Sequence, residues 1–200
     1  MNVRIAQLLT FNAGAWYDDC LEMNEYTIKL WLITNTYNSL EQNIAVTRVK
    51  HFIHNQLDST IFVNSTEKTR CTDFIRAGLN ITSMPGDPAD QLIGIMLFHK
   101  LNAIMEGRIN IVEIEISANT GVVYLHSENE TSEDLLMPDW WATADLTHCD
   151  SELTNSEKVL SIPQHNAWRD LGLAWPAEDV DNESGNVVVF ADFKQTDETE

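Results

Sequence analysis

Two glutamates on one predicted strand are the residues of this sequence whose types and spacing are best suited to chemistry. Glu113 and Glu115 alternate with Ile114 and Ile116, and side chains two residues apart in a strand point to the same face. Two carboxylates side by side can hold a guanidine-like or amino-pyrimidine edge through charge-assisted hydrogen bonds. The alternative is that both glutamates belong to the solvated face of a hairpin.

Histidines offer the next candidate sites. His51 and His54 lie three residues apart, so they could share a metal ion, and a solvent-facing pair is the alternative. His99 follows a phenylalanine within an apolar helix, where a core or interface histidine is the alternative to a functional one. Residues 148–150 (His-Cys-Asp) are three ligand types in a row, but adjacent residues rarely converge on one ion. We therefore expect neither a metal nor a cofactor.

The cysteines and the missing motifs exclude several classes of protein. Cys20, Cys71 and Cys149 are far apart and include no CxxC pair, so neither a disulfide framework nor a structural zinc site is indicated. No apolar run reaches the roughly 18 residues of a membrane span. The sequence contains no glycine-rich phosphate loop, no GxSxG elbow and no Walker motif. We expect a cytoplasmic protein.

The spacing of apolar residues predicts the elements that must position these groups. A period of two indicates strands, and a spacing of three and four residues indicates helices. Asp87 and Pro88 suit the start of the longest helix, and Gly107 suits its end. The predicted order is strand 3–11, strand 26–34, helix 39–57, a shorter helical piece within 66–79, helix 88–106, and a hairpin over 113–124.

Charge divides the chain into two parts. The formal net charge is −19, which disfavours direct binding to nucleic acid or to anionic membranes and leaves basic partners open. Residues 1–125 carry 13 acidic and 9 basic side chains, a balance of −4, whereas residues 126–200 carry 18 and 3, a balance of −15. We therefore expect the character of the chain to change near residue 126.

Five short motifs occur in chain order: Phe-Asn-Ala-Gly-Ala at 11–15, Glu-Met-Asn-Glu-Tyr at 22–26, Leu-Asp-Ser at 57–59, Pro-Ala-Asp-Gln-Leu at 88–92 and Val-Val-Tyr at 122–124. With the segment order, they resemble the T-fold (tunnelling fold) family of 6-pyruvoyl-tetrahydropterin synthase and 6-carboxytetrahydropterin synthase. The resemblance covers roughly residues 3–126. It implies an α+β domain over 1–126, with a ββααββ antiparallel sheet and helices on one face. It also implies a homo-oligomer, because T-fold proteins assemble side by side into barrels.

The metal positions of that family are not retained. Its three zinc-binding histidines correspond to Ala15, Glu22 and Asn24. Ala15 has no ligand atom, and a carboxylate with an amide does not replace three neutral imidazoles. The resemblance therefore implies a protein that has lost the family's zinc site.

The other functional positions of the family are also altered. Its catalytic histidine corresponds to Ser59, which cannot exchange a proton near pH 7 unless another base activates it. Cys20 is the candidate for the catalytic cysteine, although its spacing from the first strand is short. The substrate-anchoring glutamate aligns with Ile116, one residue from Glu115, and a shift of one residue reverses the face. Cys20, Ser59, Glu113 and Glu115 remain as candidate ligand-binding residues.

Residues 127–200 form an acidic, Trp-containing extension. Four of the six tryptophans lie here, Trp140, Trp141, Trp168 and Trp175, which predicts docking on a protein surface, either that of this chain or that of a partner. We also predict a short helix over 166–173, a strand over 187–190 and disorder over the last six or so residues, 195–200.

Two classes of function remain. The first is a non-catalytic T-fold-like protein that serves as an oligomeric scaffold or binds a purine- or pterin-type heterocycle. The alternative is an acidic interaction or inhibitor protein that mimics nucleic acid or binds a basic host protein. The chain also resembles, loosely, orphan proteins of tailed phages, which suits either class. A third reading is an enzyme that uses Cys20 or the pair Glu113 and Glu115.

Overall fold

A computed structural model describes residues 4–128, 139–146 and 167–176. Its strands are β1 (Arg4–Tyr17), β2 (Cys20–Thr34), β3 (Ile61–Asn64), β4 (Ile81–Met84), β5 (Ile109–Ser117) and β6 (Val123–Ser127). Its helices are α1 (Ser39–His51), continued by a π-helix (Phe52–Leu57), then α2 (Lys68–Arg76), α3 (Asp90–Met105) and a 3-10 turn (Asp139–Ala142). None of the helices within these ranges is long and apolar enough to span a membrane.

The strands form one sheet in the order β4-β3-β1-β2-β5-β6. The four strands of the predicted layout, β1, β2, β5 and β6, pair antiparallel in sequence order, and α1 and α3 pack on one face of them. This is the α+β layout of the T-fold. The structure adds two short strands to the predicted antiparallel four: β3 pairs parallel to β1, and β4 pairs parallel to β3. Neither short strand was predicted.

The first hairpin is longer than its sequence suggests. The predicted strands 3–11 and 26–34 continue toward each other until Tyr17 pairs with Cys20. Asp18 and Asp19 close the turn with φ of 50° and 57°. Two left-handed residues in a two-residue loop suit the twist of an antiparallel pair, and aspartate tolerates this conformation better than most residues.

The helices begin close to the predicted positions, with different caps. Asn38 caps α1, because its side-chain oxygen accepts from the backbone N–H of Leu40 at 3.0 Å. The predicted cap of α3, Asp87, instead accepts a hydrogen bond from the Asn64 side chain at 2.8 Å. Helix α3 therefore begins at Asp90, without a side-chain cap.

The main core lies between α1, α3 and the sheet face that they cover. Phe11 stacks on Tyr26 with ring centroids 5.1 Å apart, and both are almost fully buried. Gly94 lets α3 approach β5 closely, since a Cβ at this position would lie 2.7 Å from Ile116 Cγ2. A second, smaller apolar cluster joins β1, β3 and α2; its buried members are Trp16, Ile61, Val63 and Cys71.

A bulge in β5 is held by a side chain of α3. The register against β2 shifts so that Trp31 opposes Glu113 while Leu32 opposes Ile111. The Asn102 side chain accepts from the Ile111 nitrogen at 2.8 Å and donates to the Ile111 carbonyl oxygen at 3.3 Å. The amide thus satisfies backbone groups beside the irregularity.

Two segments beyond β6 pack on the helical layer. Trp141 is fully buried and Trp168 nearly so, and both belong to the main core. The part of the predicted helix over 166–173 that the structure describes, residues 167–173, forms hydrogen-bonded turns instead. Residue 166, the predicted strand 187–190, the predicted disorder at 195–200 and the triplet 148–150 lie outside the described residues.

Candidate functional site

The residues that the resemblance aligns with zinc ligands lie together at one end of the sheet. Ala15 pairs with Glu22 and Ala13 with Asn24 in the β1–β2 register. Because Glu22 and Asn24 are an even number of residues from buried Tyr26, their side chains project from the same face. Asn24 donates a long hydrogen bond of 3.4 Å to the Tyr26 hydroxyl.

The first residue of α3 brings a second carboxylate to this end. Burial raises the pKa of Asp90, and the negative charge of Glu22 raises it further. Burial also raises the pKa of Tyr26 to about 12; the hydrogen bond from Asn24 opposes this shift, and Asp90 and Glu22 add to it. Glu22, Asn24, Tyr26 and Asp90 therefore form an oxygen-rich group, which we call the acidic end.

The acidic end does not fit the zinc ion that the family resemblance implies. Ala15 contributes no ligand atom, and the group contains neither imidazole nor thiolate, the ligands that zinc prefers. Within 4–128, 139–146 and 167–176, no three His, Cys, Asp or Glu side chains are placed to hold a metal together. Two neighbouring carboxylates, one with a raised pKa, instead favour a cation or a protonated nitrogen.

Ser59 and Cys20 lie near different parts of the first hairpin: Ser59 in the loop that contacts β1, and Cys20 at the turn into β2. Ser59 has φ of 66°, is exposed, and donates its backbone N–H to the Asn12 carbonyl at 2.6 Å. The adjacent Asp58 carboxylate accepts from the Asn12 nitrogen at 2.8 Å. Cys20 is exposed at the turn, where it pairs with Tyr17. Ser59 thus lies beside Asn12, which is three residues before Ala15 in β1, and Cys20 lies two residues before Glu22 in β2.

Glu113 and Glu115 lie on the sheet face turned away from α1 and α3, which we call the open face. Across the β2–β5 register they oppose Trp31 and Lys29. Lys29 Nζ lies 3.9 Å from Glu115 Oε2 and 4.3 Å from the centroid of the Trp31 ring. The two glutamates share a face, but one of them has a basic partner and both are distant from the acidic end. Ligand binding by this pair stays a prediction.

The two histidines of the predicted pair on the first helix differ in burial. His51 is half-buried, and its ring lies edge-on to Trp168 with centroids 6.1 Å apart. His54 is exposed on the π-helix. The two imidazoles therefore have different environments, and His51 contributes to docking of the C-terminal segment.

Lys100 holds the segment 139–146 on α3. The side chain is fully buried, and its ammonium donates to the carbonyl oxygens of Trp140, Thr143 and Asp145 at 2.9, 3.0 and 2.6 Å. The ammonium also lies 3.8 Å from the centroid of the Trp140 ring, and Trp141 donates its indole N–H to the Ser83 carbonyl at 3.2 Å. Burial lowers the pKa of Lys100 to about 7, against an opposing effect of Asp145.

Arg48 holds the segment 167–176 in a similar way. Its buried guanidinium donates to the Leu173 carbonyl at 2.8 Å and to Glu106 Oε1 at 2.8 Å. Its Cζ lies 5.0 Å from the centroid of the Trp168 ring. Burial lowers the pKa of Arg48, and its hydrogen bond with Glu106 counteracts the shift. The four C-terminal tryptophans, predicted to dock on a protein surface, contact the core of their own chain.

Sequence reasoning missed Asp90, Arg48 and Lys100 as organising residues. Lys100 had a usable signal, because a lysine within an apolar helix must find buried partners. Arg48 lies within the predicted helix 39–57 and next to Val49, which is a weaker signal of the same kind. Asp90 gave no signal of its own, because its neighbour Glu22 is distant in sequence.

The chain is similar in fold to several solved structures. An uncharacterized protein from Wolinella succinogenes matches at 13% identity and a TM-score of 0.49, over 64% of this chain and 99% of that one. The 6-pyruvoyl tetrahydropterin synthase of Plasmodium vivax matches at 13% identity and 0.41, over 64% and 99%, and that of Plasmodium falciparum at 15% and 0.41, over 63% and 98%. No protein-family model and no curated protein matches the chain. At these identities the likeness concerns the fold alone.

Proposed function

We propose that this chain is a non-catalytic T-fold-like protein that serves as an oligomeric scaffold, with copies joined through β1 and β6. The observation that carries the proposal is that, within 4–128, 139–146 and 167–176, each of these strands combines an unpaired stretch of outer edge with an exposed leucine on the open face. Leu8 of β1 is 64% exposed and Leu125 of β6 is 57% exposed. Exposed apolar side chains next to unpaired strand edges favour association.

The edge of β1 is open over its first half. Among the described residues, β3 pairs with β1 only at Gly14 and Ala15. The N–H and C=O groups of Asn12 both bond to the loop at 58–59, on the side of β1 away from β2. Because alternate residues of a strand direct these groups to the same side, the other even-numbered residues of β1 also direct theirs away from β2. The outward groups of Thr10, Leu8 and Ala6 therefore face no strand in the described part of the chain.

In the described part of the chain, no strand pairs with the outer edge of β6. Glu128 donates its N–H to the Val112 carbonyl, so the even-numbered residues of this strand bond to β5. Val123, Leu125 and Ser127 then direct their backbone groups outward, where the described residues provide no further strand. If β6 of one copy pairs with β1 of the next, Leu125 and Leu8 lie on the same face and shield each other from water.

The lack of catalysis is inferred from the resemblance. It aligns the family's metal-binding and proton-transferring histidines with Ala15, Glu22, Asn24 and Ser59. Because none of these four side chains is an imidazole, the group that transfers protons near pH 7 in the family is missing from these positions.

Sedimentation or light scattering of the purified chain tests the scaffold. We expect a mass several times the 22.7 kDa of one chain. Leu125→Lys should shift the population toward the monomer, because it places a charge in the proposed contact. Leu79→Lys, at an exposed leucine outside β1 and β6, is the matched control and should leave the mass unchanged. A wild-type monomer at high protein concentration would contradict the proposal.

Binding of a basic heterocycle at the acidic end is a second candidate function. The raised pKa of Asp90 beside Glu22 favours it, because a guanidinium or amino-pyrimidine edge would relieve the repulsion between the carboxylates. Calorimetry with guanine- and pterin-type compounds, repeated with Asp90→Asn, tests this function. Equal binding by the wild-type chain and the variant would remove the acidic end from consideration.

A basic protein partner is the alternative that the net charge of −19 supports. Because Trp140, Trp141, Trp168 and Trp175 contact this chain's own core, the alternative depends on carboxylates and not on these indoles. Association with a model polycation that weakens as salt is raised would support it, and salt-independent association would not.

A further inference from the structure

The segment 139–146 lies between α3 and the segment 167–176, and its backbone carbonyl groups bond to both. The carbonyl of Ala144 accepts from the indole N–H of Trp168 at 2.7 Å. The Lys100 ammonium of α3 donates to the other carbonyls of this set, those of Trp140, Thr143 and Asp145. One short stretch of backbone therefore connects the helical layer to the segment that follows it in the chain.

Segment 139–146 is anchored by contacts that do not involve 167–176. Besides the bonds from α3, its Trp141 side chain is fully buried and donates the indole N–H to the Ser83 carbonyl of β4 at 3.2 Å. Leu146, at the end of the segment, is also buried in the main core. These anchors remain in place when 167–176 is released.

Segment 167–176, by contrast, depends on 139–146 for part of the surface to which it binds. Arg48 bonds to this segment directly from α1. The indole N–H of Trp168 instead ends on Ala144, and the Trp168 side chain is nearly fully buried. Burying an N–H donor without an acceptor is costly. Docking of 167–176 is therefore less favourable when 139–146 is not in place.

We propose that the two segments form a two-step strap over α1 and α3, in which 139–146 docks first and completes the seat for 167–176. Release follows the reverse order, so 167–176 leaves while 139–146 stays. The vacated seat presents the Arg48 guanidinium for the face of an indole ring and the Ala144 carbonyl for its N–H. This chemistry fits a tryptophan side chain, and it does not depend on how copies of the chain associate.

Hydrogen exchange of backbone amides tests the order of release. Thr143 reports on 139–146 and Leu173 on 167–176, because each N–H is hydrogen-bonded within its own segment. We expect stronger protection at Thr143 than at Leu173, since every release of 139–146 also frees 167–176. The opposite order of protection would overturn the proposal.

Lys100→Met tests whether 167–176 depends on 139–146, because the hydrogen bonds of the Lys100 ammonium end on 139–146. We expect protection at Leu173 to fall about tenfold relative to β2 amides, since Trp168 loses its acceptor. Lys68→Met, at an exposed lysine of α2, should leave this protection unchanged.

A second background tests whether the Trp168 indole N–H carries the effect. Trp168→Phe keeps an aromatic ring without that N–H, so Lys100→Met should have little further effect on Leu173 there. Unchanged protection at Leu173 in Lys100→Met alone, or an equal fall with and without the indole N–H, would overturn the inference. If Lys100→Met does not fold, Trp141→Phe removes the bond to β4, loosens 139–146 by another route and decides in its place.

Discussion

The ring of Trp175 stacks on the guanidinium of Arg48, whose Cζ lies 3.9 Å from the ring centroid. Arg108 approaches the same ring at 4.5 Å, and the indole N–H donates to Glu106 Oε2 at 2.8 Å. A residue near the end of the described chain thus contacts two arginines of the preceding domain. Arginine over the face of tryptophan is a favourable cation–π geometry, and here it accompanies a charge-assisted hydrogen bond.

Replacing the buried arginine should destabilise the fold. Arg48→Met keeps much of the apolar stem but leaves the Leu173 carbonyl without its donor and removes the contacts with both indoles. We expect a loss of about 2–4 kcal/mol in the free energy of unfolding. Urea unfolding followed by tryptophan fluorescence measures it. Arg76→Met, on the exposed end of α2, should change stability by less than about 0.5 kcal/mol; equal losses would refute the role of Arg48.

Stability should depend on pH through Lys100. Docking lowers the pKa of this lysine to about 7, whereas a free lysine titrates near 10.4. Between these values the unfolded chain binds more protons, so stability should rise with pH by up to about 1.4 kcal/mol per pH unit. Unfolding at about pH 7, 8 and 9 measures the slope. The slope should disappear in Lys100→Met and persist in Lys68→Met, at an exposed lysine of α2.

Gly94 should not tolerate a methyl group. In Gly94→Ala the new Cβ would lie 2.7 Å from Ile116 Cγ2, so α3 must move away from β5. We expect a loss of about 1–3 kcal/mol, despite the better helix propensity of alanine. Gly86→Ala is the control, because its Cβ would meet Leu92 at an ordinary 3.4 Å. Thermal unfolding of the two variants should separate them clearly; similar melting temperatures would indicate that the interface can adapt.

Restoring imidazoles should restore metal binding if Ala15, Glu22 and Asn24 correspond to the zinc positions of the resembled family. All three face the same side of the β1–β2 hairpin, which suits a three-histidine site with one open position. We expect the triple histidine variant to retain one zinc per chain by elemental analysis. A control with Met23→His in place of Asn24→His directs the third ring to the other face and should retain none. Zinc in both proteins would disprove the correspondence.

The periodic elements could be predicted because their neighbours are local. The alternation around Ile114 and Ile116 predicts β5, and Gly107, with φ of 75°, follows the end of α3 as expected. The bulge beside Ile111 could not be predicted, since it depends on Asn102 from another element. The turn at 18–19 was missed because two aspartates replace the glycine that usually marks such a hairpin.

The candidate site, too, could be predicted only where it depends on neighbouring strands. The motifs placed Ala15, Glu22 and Asn24 together, and the β1–β2 register agrees. The approach of Asp90 to Glu22 joins residues 68 positions apart and required the packing of α3 on the sheet. The docking of the tryptophans on their own chain depends on hydrogen bonds from Lys100 and Arg48 to backbone carbonyl groups. Every residue has such a carbonyl group, so the sequence does not indicate which ones accept these bonds.

The carbonyl groups around Lys100 and Arg48 decide how short a recombinant fragment of this protein can be. A recombinant fragment that stops at residue 128 would lack the three carbonyl oxygens around Lys100 and the one from Leu173 beside Arg48. Both cations would then lie in an apolar layer that the tryptophan side chains no longer cover. Such an exposed apolar surface promotes precipitation. Expression trials should therefore extend at least through residue 176.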